Sequence, residues 1–298
     1  MWSQILGHTK QIEQLKKALA ENKIPHAFLF CGIEGIGKKR VALGLAQSLN
    51  DTSKINHPDC FLIEPAGEKI KTIRVDVLRD LKQKAYLHPL EGKAKIFIID
   101  QPEKMTLAGA NALLKILEEP PSQTYFILIT SSSSLLLPTI RSRCQIIEFS
   151  PLSEELIAKK LMEEGKNTKE AALLAGLAQG SLEKALTFDP KLFEDIKTKL
   201  EGLQKNPTPT NIFSLSETWS DEEERLPFIF DVLSRLFYER IGKDRGEETL
   251  SRLTDQWFAI QTAKNKLQTT ANKRLLLESL LFTLASLCSH PEQSEGSK

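Results

Sequence analysis

The chain has 298 residues, 41% hydrophobic and 27% charged, with a formal net charge of +1. That length accommodates two or three domains, and the near-zero balance excludes a uniformly basic, histone-like binder while leaving a local basic patch open. No apolar run reaches the length of a membrane span, and the N-terminus lacks the basic-then-apolar layout of a signal peptide, so a cytoplasmic protein is expected.

Residues 10–20 carry Ile12, Leu15, Ala18 and Leu19 at helical spacing. After the Asn22–Pro25 break comes an apolar run, Ala27–Phe30, then a glycine-rich turn and a helical pattern to about Leu49. A short strand is expected at Phe61–Ile63. An amphipathic helix follows, with Ile73, Val77, Leu78 and Leu81 as its apolar stripe. Lys95–Asp100 reads as a strand buried on both faces and ending in a carboxylate, because its apolar character is continuous rather than alternating. Thr106 is the expected cap of a helix to Glu119, stopped by Pro120-Pro121. Strands at Tyr125–Thr130 and Cys144–Phe149 complete the set.

Apolar strands alternating with helices predict an α/β fold, a doubly wound parallel sheet over residues 1–150. From Pro151 the pattern is short helices, 151–205, and after the stiff Asn206–Thr210 linker a further helical segment, 206–288. Residues 289–298, rich in Glu and Ser, are expected to be a disordered tail.

Three constellations carry chemistry. Gly32-Ile33-Glu34-Gly35-Ile36-Gly37-Lys38-Lys39 stands between the first strand and its helix. Glycines let backbone N–H groups approach an anion, and the helix N-terminus adds partial positive charge, so Gly32, Gly35, Gly37 and Lys38 form a candidate phosphate cradle. A plain strand-to-helix turn shares the pattern. Where a magnesium-binding Ser or Thr belongs, the chain has Lys39. Asp100 suits the carboxylate that organises magnesium, yet its neighbour is Gln101, whose amide takes no proton, and Glu103 beyond Pro102 is not expected to aim at the same point.

The loop Pro138-Thr139-Ile140-Arg141-Ser142-Arg143-Cys144 holds the third constellation. On chemistry alone Arg143 is open between a surface ion pair and an arginine that reaches a neighbouring subunit's phosphates. The four cysteines, Cys31, Cys60, Cys144 and Cys288, include no C-x-x-C pair, and His57 with Cys60 lacks the further ligands zinc requires. Lys93, Lys95, Lys104 and Lys115 are open between a phosphate-facing surface and ordinary solvated lysines.

Pro25-His26-Ala27-Phe28-Leu29-Phe30-Cys31-Gly32, the helix Asn111–Pro121, and Leu137-Pro138-Thr139-Ile140 with Ser142-Arg143-Cys144 resemble bacterial clamp-loader AAA+ subunits of DNA polymerase III. The likeness is strong over about residues 5–190 and weaker through Asn272–Glu278. It implies an AAA+ nucleotide domain, a small helical lid, and a C-terminal helical collar that joins a hetero-pentamer with gamma or tau and delta subunits. Such a ring opens the sliding clamp and loads it onto primed DNA. Arg143 then aligns with the family's arginine finger, which acts in trans on a neighbouring ATP site.

Departures from the family pattern matter equally. Hydrolysing members have Lys-Thr or Lys-Ser where Lys38-Lys39 stand, Asp-Glu where Asp100-Gln101 stand, and a lid arginine at or near Leu182-Glu183. Many members carry a four-cysteine zinc module before His-Pro-Asp; Asn50–Asn56 holds no cysteine, so no zinc is expected. The expectation is a non-hydrolysing subunit that needs no cofactor and supplies Arg143 next door, with ATP binding left open. The alternatives are an active gamma/tau-type ATPase and a stand-alone AAA+ motor on nucleic acid.

Overall fold

A computed structural model describes residues 2, 5–54, 56–67, 71–243, 246–267 and 272–286; Cys288 and the tail at 289–298 lie outside them. In chain order the elements are α1 (Thr9–Ala20), β1 (Ala27–Cys31), α2 (Lys38–Leu49), β2 (Cys60–Ile63), α3 (Val75–Ala85), β3 (Lys95–Asp100), α4 (Leu107–Glu118), β4 (Thr124–Thr130), α5 (Pro138–Arg141) and β5 (Gln145–Glu148). Helices alone follow: α6 (Glu154–Glu163), α7 (Thr168–Leu177), α8 (Leu182–Thr187), α9 (Pro190–Lys205), α10 (Pro209–Asp221), α11 (Leu226–Lys243), α12 (Glu247–Lys266) and α13 (Lys273–Ser286).

The five strands form one parallel sheet in the order β2-β3-β4-β1-β5. Central strands are buried throughout, as in Ala27–Cys31 and Lys95–Ile99, because helices cover both faces. The edge strand β5 buries only Ile147 among its four residues. This order sets the C-terminal ends of β1, β3 and β4 side by side, where open α/β sheets place their ligand crevice. Thr106 caps α4 as its sequence suggests, with Oγ1 accepting from the Gly109 N–H at 3.2 Å.

Two expectations are corrected here. Ile73 lies outside α3, which begins only at Val75 after an extended Arg74, and Val77 lies on the exposed side of that helix. Ile73 instead bridges to Met105 and is buried, while Val77 is 41% exposed; the helix buries Leu78, Leu81 and Ala85. Lys95 is not part of a phosphate-facing surface. It starts an inner strand, is buried, and its Nζ donates to the Lys84 carbonyl at 2.7 Å.

Among the described residues the chain forms two compact units, one of residues 1–165 with 179–185, the other of 166–178 with those from 186 onward. The second unit is wholly helical, and Leu200, Leu203, Ile212, Trp219, Phe230, Leu233 and Leu281 share one core. The Asn206–Thr210 stretch therefore connects two helices within that core, with Pro209 seated in the first turn of α10, a position that proline tolerates because its missing N–H is unneeded there. Buried Asp231 of α11 is paired with Lys264 of α12 at 2.5 Å.

Candidate functional site: a closed glycine loop and an outlying arginine

The loop after β1 turns on three left-handed glycines, Gly32 (φ 147°), Gly35 (φ 76°) and Gly37 (φ 104°). At Gly35 the requirement is also spatial, since a Cβ would lie 2.2 Å from Ser181 Oγ and 2.8 Å from Glu183 Cβ. The Gly35 carbonyl accepts from the Glu183 backbone N–H at 3.2 Å. The segment opening α8 is thus seated directly on the glycine loop.

Lys38 opens α2 and is 5% exposed. Its Nζ donates to the carbonyls of Gly32 and, at 2.7 Å, of Ile33. Burial lowers its pKa from the ordinary lysine value, opposed by the carboxylates of Glu34 and Asp100. Lys39 Nζ is paired with Glu64 Oε1 at 2.5 Å. Asp100, half-buried at the end of β3, has its pKa raised by burial; Lys39 and Lys38 pull it down, and Glu64 pushes it further up.

Gln101 adopts a left-handed conformation (φ 52°), and its Nε2 donates to Glu34 Oε1 at 3.1 Å. The resulting 3-10 turn Pro102–Lys104 leaves Glu103 among the charges that Lys38 and Cys31 sense, closer to the site than its position beyond proline suggests. His8 closes the other side: its Nε2 meets the Ile36 carbonyl at 2.8 Å, so Nε2 carries the proton, and the ring stands edge-on to Phe149. Burial, followed by the Lys38 charge, lowers the His8 pKa against the raising effect of that hydrogen bond.

These residues do not fit magnesium. That ion demands near-octahedral oxygen ligands at short range. Here an ammonium replaces the expected hydroxyl and already neutralises Glu64 beside Asp100. Two further carboxylates, Glu34 on the loop and Glu183 of α8 packed over Gly35, add negative charge that repels a phosphate. Among the described residues no group of three or more His, Cys, Asp or Glu is placed to hold a metal, and His57 Nδ1 accepts from the Asp59 N–H at 3.1 Å.

Arg143 lies apart from this cluster. Its Nη1 donates to the Thr139 carbonyl at 3.0 Å and to Ser142 Oγ at 3.3 Å, and its Nη2 to Glu118 Oε1 at 2.8 Å. The side chain keeps 34% exposure. Gly35, Lys38, Lys39, Asp100, Gln101 and Glu183, which the sequence marks out, gather around the glycine loop. Sequence reading missed Glu34, Glu64, Ser181 and His8. Glu64 follows β2 directly, so its place beside Asp100 follows from β2 pairing with β3 (Ile63 opposite Ile99), a register no local pattern encodes.

The family model described as "DNA polymerase III, delta subunit" matches residues 7–153. DNA polymerase III subunit delta' of Bacillus subtilis is 29% identical over 311 residues, covering 91% of this chain and 94% of that one. The delta' subunit of Pseudomonas aeruginosa is 29% identical over 334 residues, covering 96% of each. Over more than nine-tenths of its length the chain is similar to delta' subunits of DNA polymerase III. DNA polymerase III subunit gamma/tau of Mycobacterium tuberculosis is 33% identical over 183 residues, 55% of this chain, which spans only 32% of that longer relative. A gamma subunit-related protein of Thermotoga maritima superposes with a TM-score of 0.55 at 22% identity over 94% of this chain and shares its α/β AAA+ fold. No helix among the described residues is long and apolar enough to cross a membrane.

Proposed function

We propose that this chain is a non-hydrolysing AAA+ subunit of the DNA polymerase III clamp loader, and that Arg143 acts in trans on the ATP site of an adjacent subunit. The observation that carries the reading is the Lys39–Glu64 pair beside Asp100. An ammonium there, itself paired with Glu64, offers no metal-bound oxygen and no route to activate water. Gln101, where the base of a hydrolysing site belongs, is an amide committed to Glu34. With residues 1–150 as the nucleotide-type domain and the helices beyond them supplying lid and collar, the chain takes a place in a hetero-pentamer with gamma or tau and delta subunits. That ring loads the sliding clamp onto primed DNA. No ATP and no zinc are required of this subunit.

In this reading Arg143 stabilises charge that develops on a neighbour's transferred phosphoryl group, a contribution of about a thousandfold or more at the site it serves. The test is the assembled complex carrying Arg143→Ala. Its DNA- and clamp-stimulated ATP turnover falls while the subunit keeps its melting profile; an unchanged rate ends the finger assignment. The likeness of 55% of this chain to a gamma/tau subunit favours a second reading, an active ATPase of unusual site. Magnesium-dependent turnover by the purified chain, abolished by Asp100→Asn, would establish that reading instead.

A further inference from the structure

We infer that Glu118 is a positioning residue for Arg143, holding its guanidinium on this chain in the orientation in which it meets a neighbouring subunit's phosphate. The inference rests on the Arg143 reading above and deepens it.

Glu118 is the last residue of α4, on the exposed side of a turn whose Ile116 and Leu117 are buried. Pro120-Pro121 prevents the helix from continuing, so the carboxylate sits at a fixed helix end. Arg143 follows α5, and Ile140 of α5 is fully buried in the same core as Leu113 and Ile116 of α4. Packing of α4 on α5 therefore sets the separation of the two charged groups before their side chains meet. A guanidinium has five N–H donors, and three of them are spent on Thr139, Ser142 and Glu118. The Nε–H and one Nη2–H have no protein partner among the described residues, and these remain for an anion outside the chain. Three contacts on one group remove most of the rotamer freedom of a long arginine, which otherwise has to be lost when the finger docks.

The consequence is measurable in the assembled clamp loader. Glu118→Ala should lower kcat of DNA-stimulated ATP turnover about two- to fivefold, the scale of one partly exposed ion pair, with KM for ATP unchanged. Glu118→Gln, which keeps the acceptor oxygen, should recover part of the loss. In an Arg143→Ala background Glu118→Ala should have no further effect, because its action passes through the arginine. Wild-type kinetics for Glu118→Ala alongside impaired Arg143→Ala would overturn this inference and leave the finger standing. An additional loss in the Arg143→Ala background would show that Glu118 acts on the fold and overturn it as well. Normal turnover by Arg143→Ala would sink both. The side chain of Glu118 is half exposed, so the variants are expected to fold, which a thermal melt of the free subunit verifies.

Discussion

The Gly35 carbonyl accepts a hydrogen bond from the Glu183 N–H, and the Glu183 carboxylate lies over the same glycine, so two residues far apart in sequence close one loop. Gly35→Ala should destabilise the protein by about 1–3 kcal/mol, combining a left-handed backbone penalty with a Cβ driven against Ser181. Urea denaturation reads the shift. Gly202 in α9 is the internal contrast: a Cβ there meets nothing, so Gly202→Ala should stabilise by about 0.5–1 kcal/mol. Equal midpoints for the two variants would contradict the steric account.

Lys39 holds the acidic pair together. Lys39→Thr restores the hydroxyl of a hydrolysing loop but leaves Glu64 and Asp100 facing each other without their cation. The Asp100 carboxyl, already raised by burial, should titrate higher still, because Lys39 is the largest influence pulling it down. An NMR titration of that carboxyl measures the change, and an unmoved Asp100 would remove Lys39 from the site. ATP turnover should stay absent in this variant, since Gln101 remains tied to Glu34.

Asp59 accounts for the His57-Pro58-Asp59 sequence in physical terms. It is fully buried, and its carboxylate accepts from the backbone N–H groups of Leu90 (2.8 Å), Glu91 (2.9 Å) and Gly92 (2.9 Å). Burial alone would raise its pKa; the three N–H groups, with His57, outweigh that and leave it lowered. A depressed folded value means that the stabilisation is complete above the unfolded value of about 3.9 and disappears as pH falls through the folded one. Asp59→Asn should cost about 2–4 kcal/mol at neutral pH and remove that part of the acid limb. Urea midpoints measured between neutral pH and about pH 3 report both effects.

His8 produces a second, higher window. Its folded pKa lies below the ordinary value, so the neutral ring is the one the fold prefers. The associated stability is complete above about pH 6.5 and is lost as pH falls through the folded value. Chemical denaturation at pH 7.5 and 5.5 should show a larger loss for the wild type than for His8→Gln, whose amide donates to Ile36 without titrating. Identical pH dependence in the two would exclude His8 as its source.

Continuous apolar runs, a glycine loop and a capped helix before Pro120-Pro121 made the parallel sheet and its helices legible, because burial on two faces and helix capping are written in local periodicity. The residues Lys39, Gln101, Glu183 and Arg143 were legible as departures or matches in a pattern of chemistry. The apolar stripe through Ile73 and Val77 does not form, since periodicity alone does not say where an extended residue such as Arg74 delays a helix start and so which residues face inward.

Only the tertiary structure supplied the partners. Lys39 meets Glu64 at a sequence separation of 25, Gln101 meets Glu34 at 67, and Arg143 meets Glu118 at 25. By itself the sequence determined which residue types line the glycine loop and that a magnesium ligand is missing from it. The fold decided that the lysine in that ligand's place pairs with Glu64, that Glu183 closes the loop, and that Arg143 is held with donors to spare. Such pairings depend on strand order and on helix packing, which arise from the burial of the whole core and are carried by no single stretch of the chain.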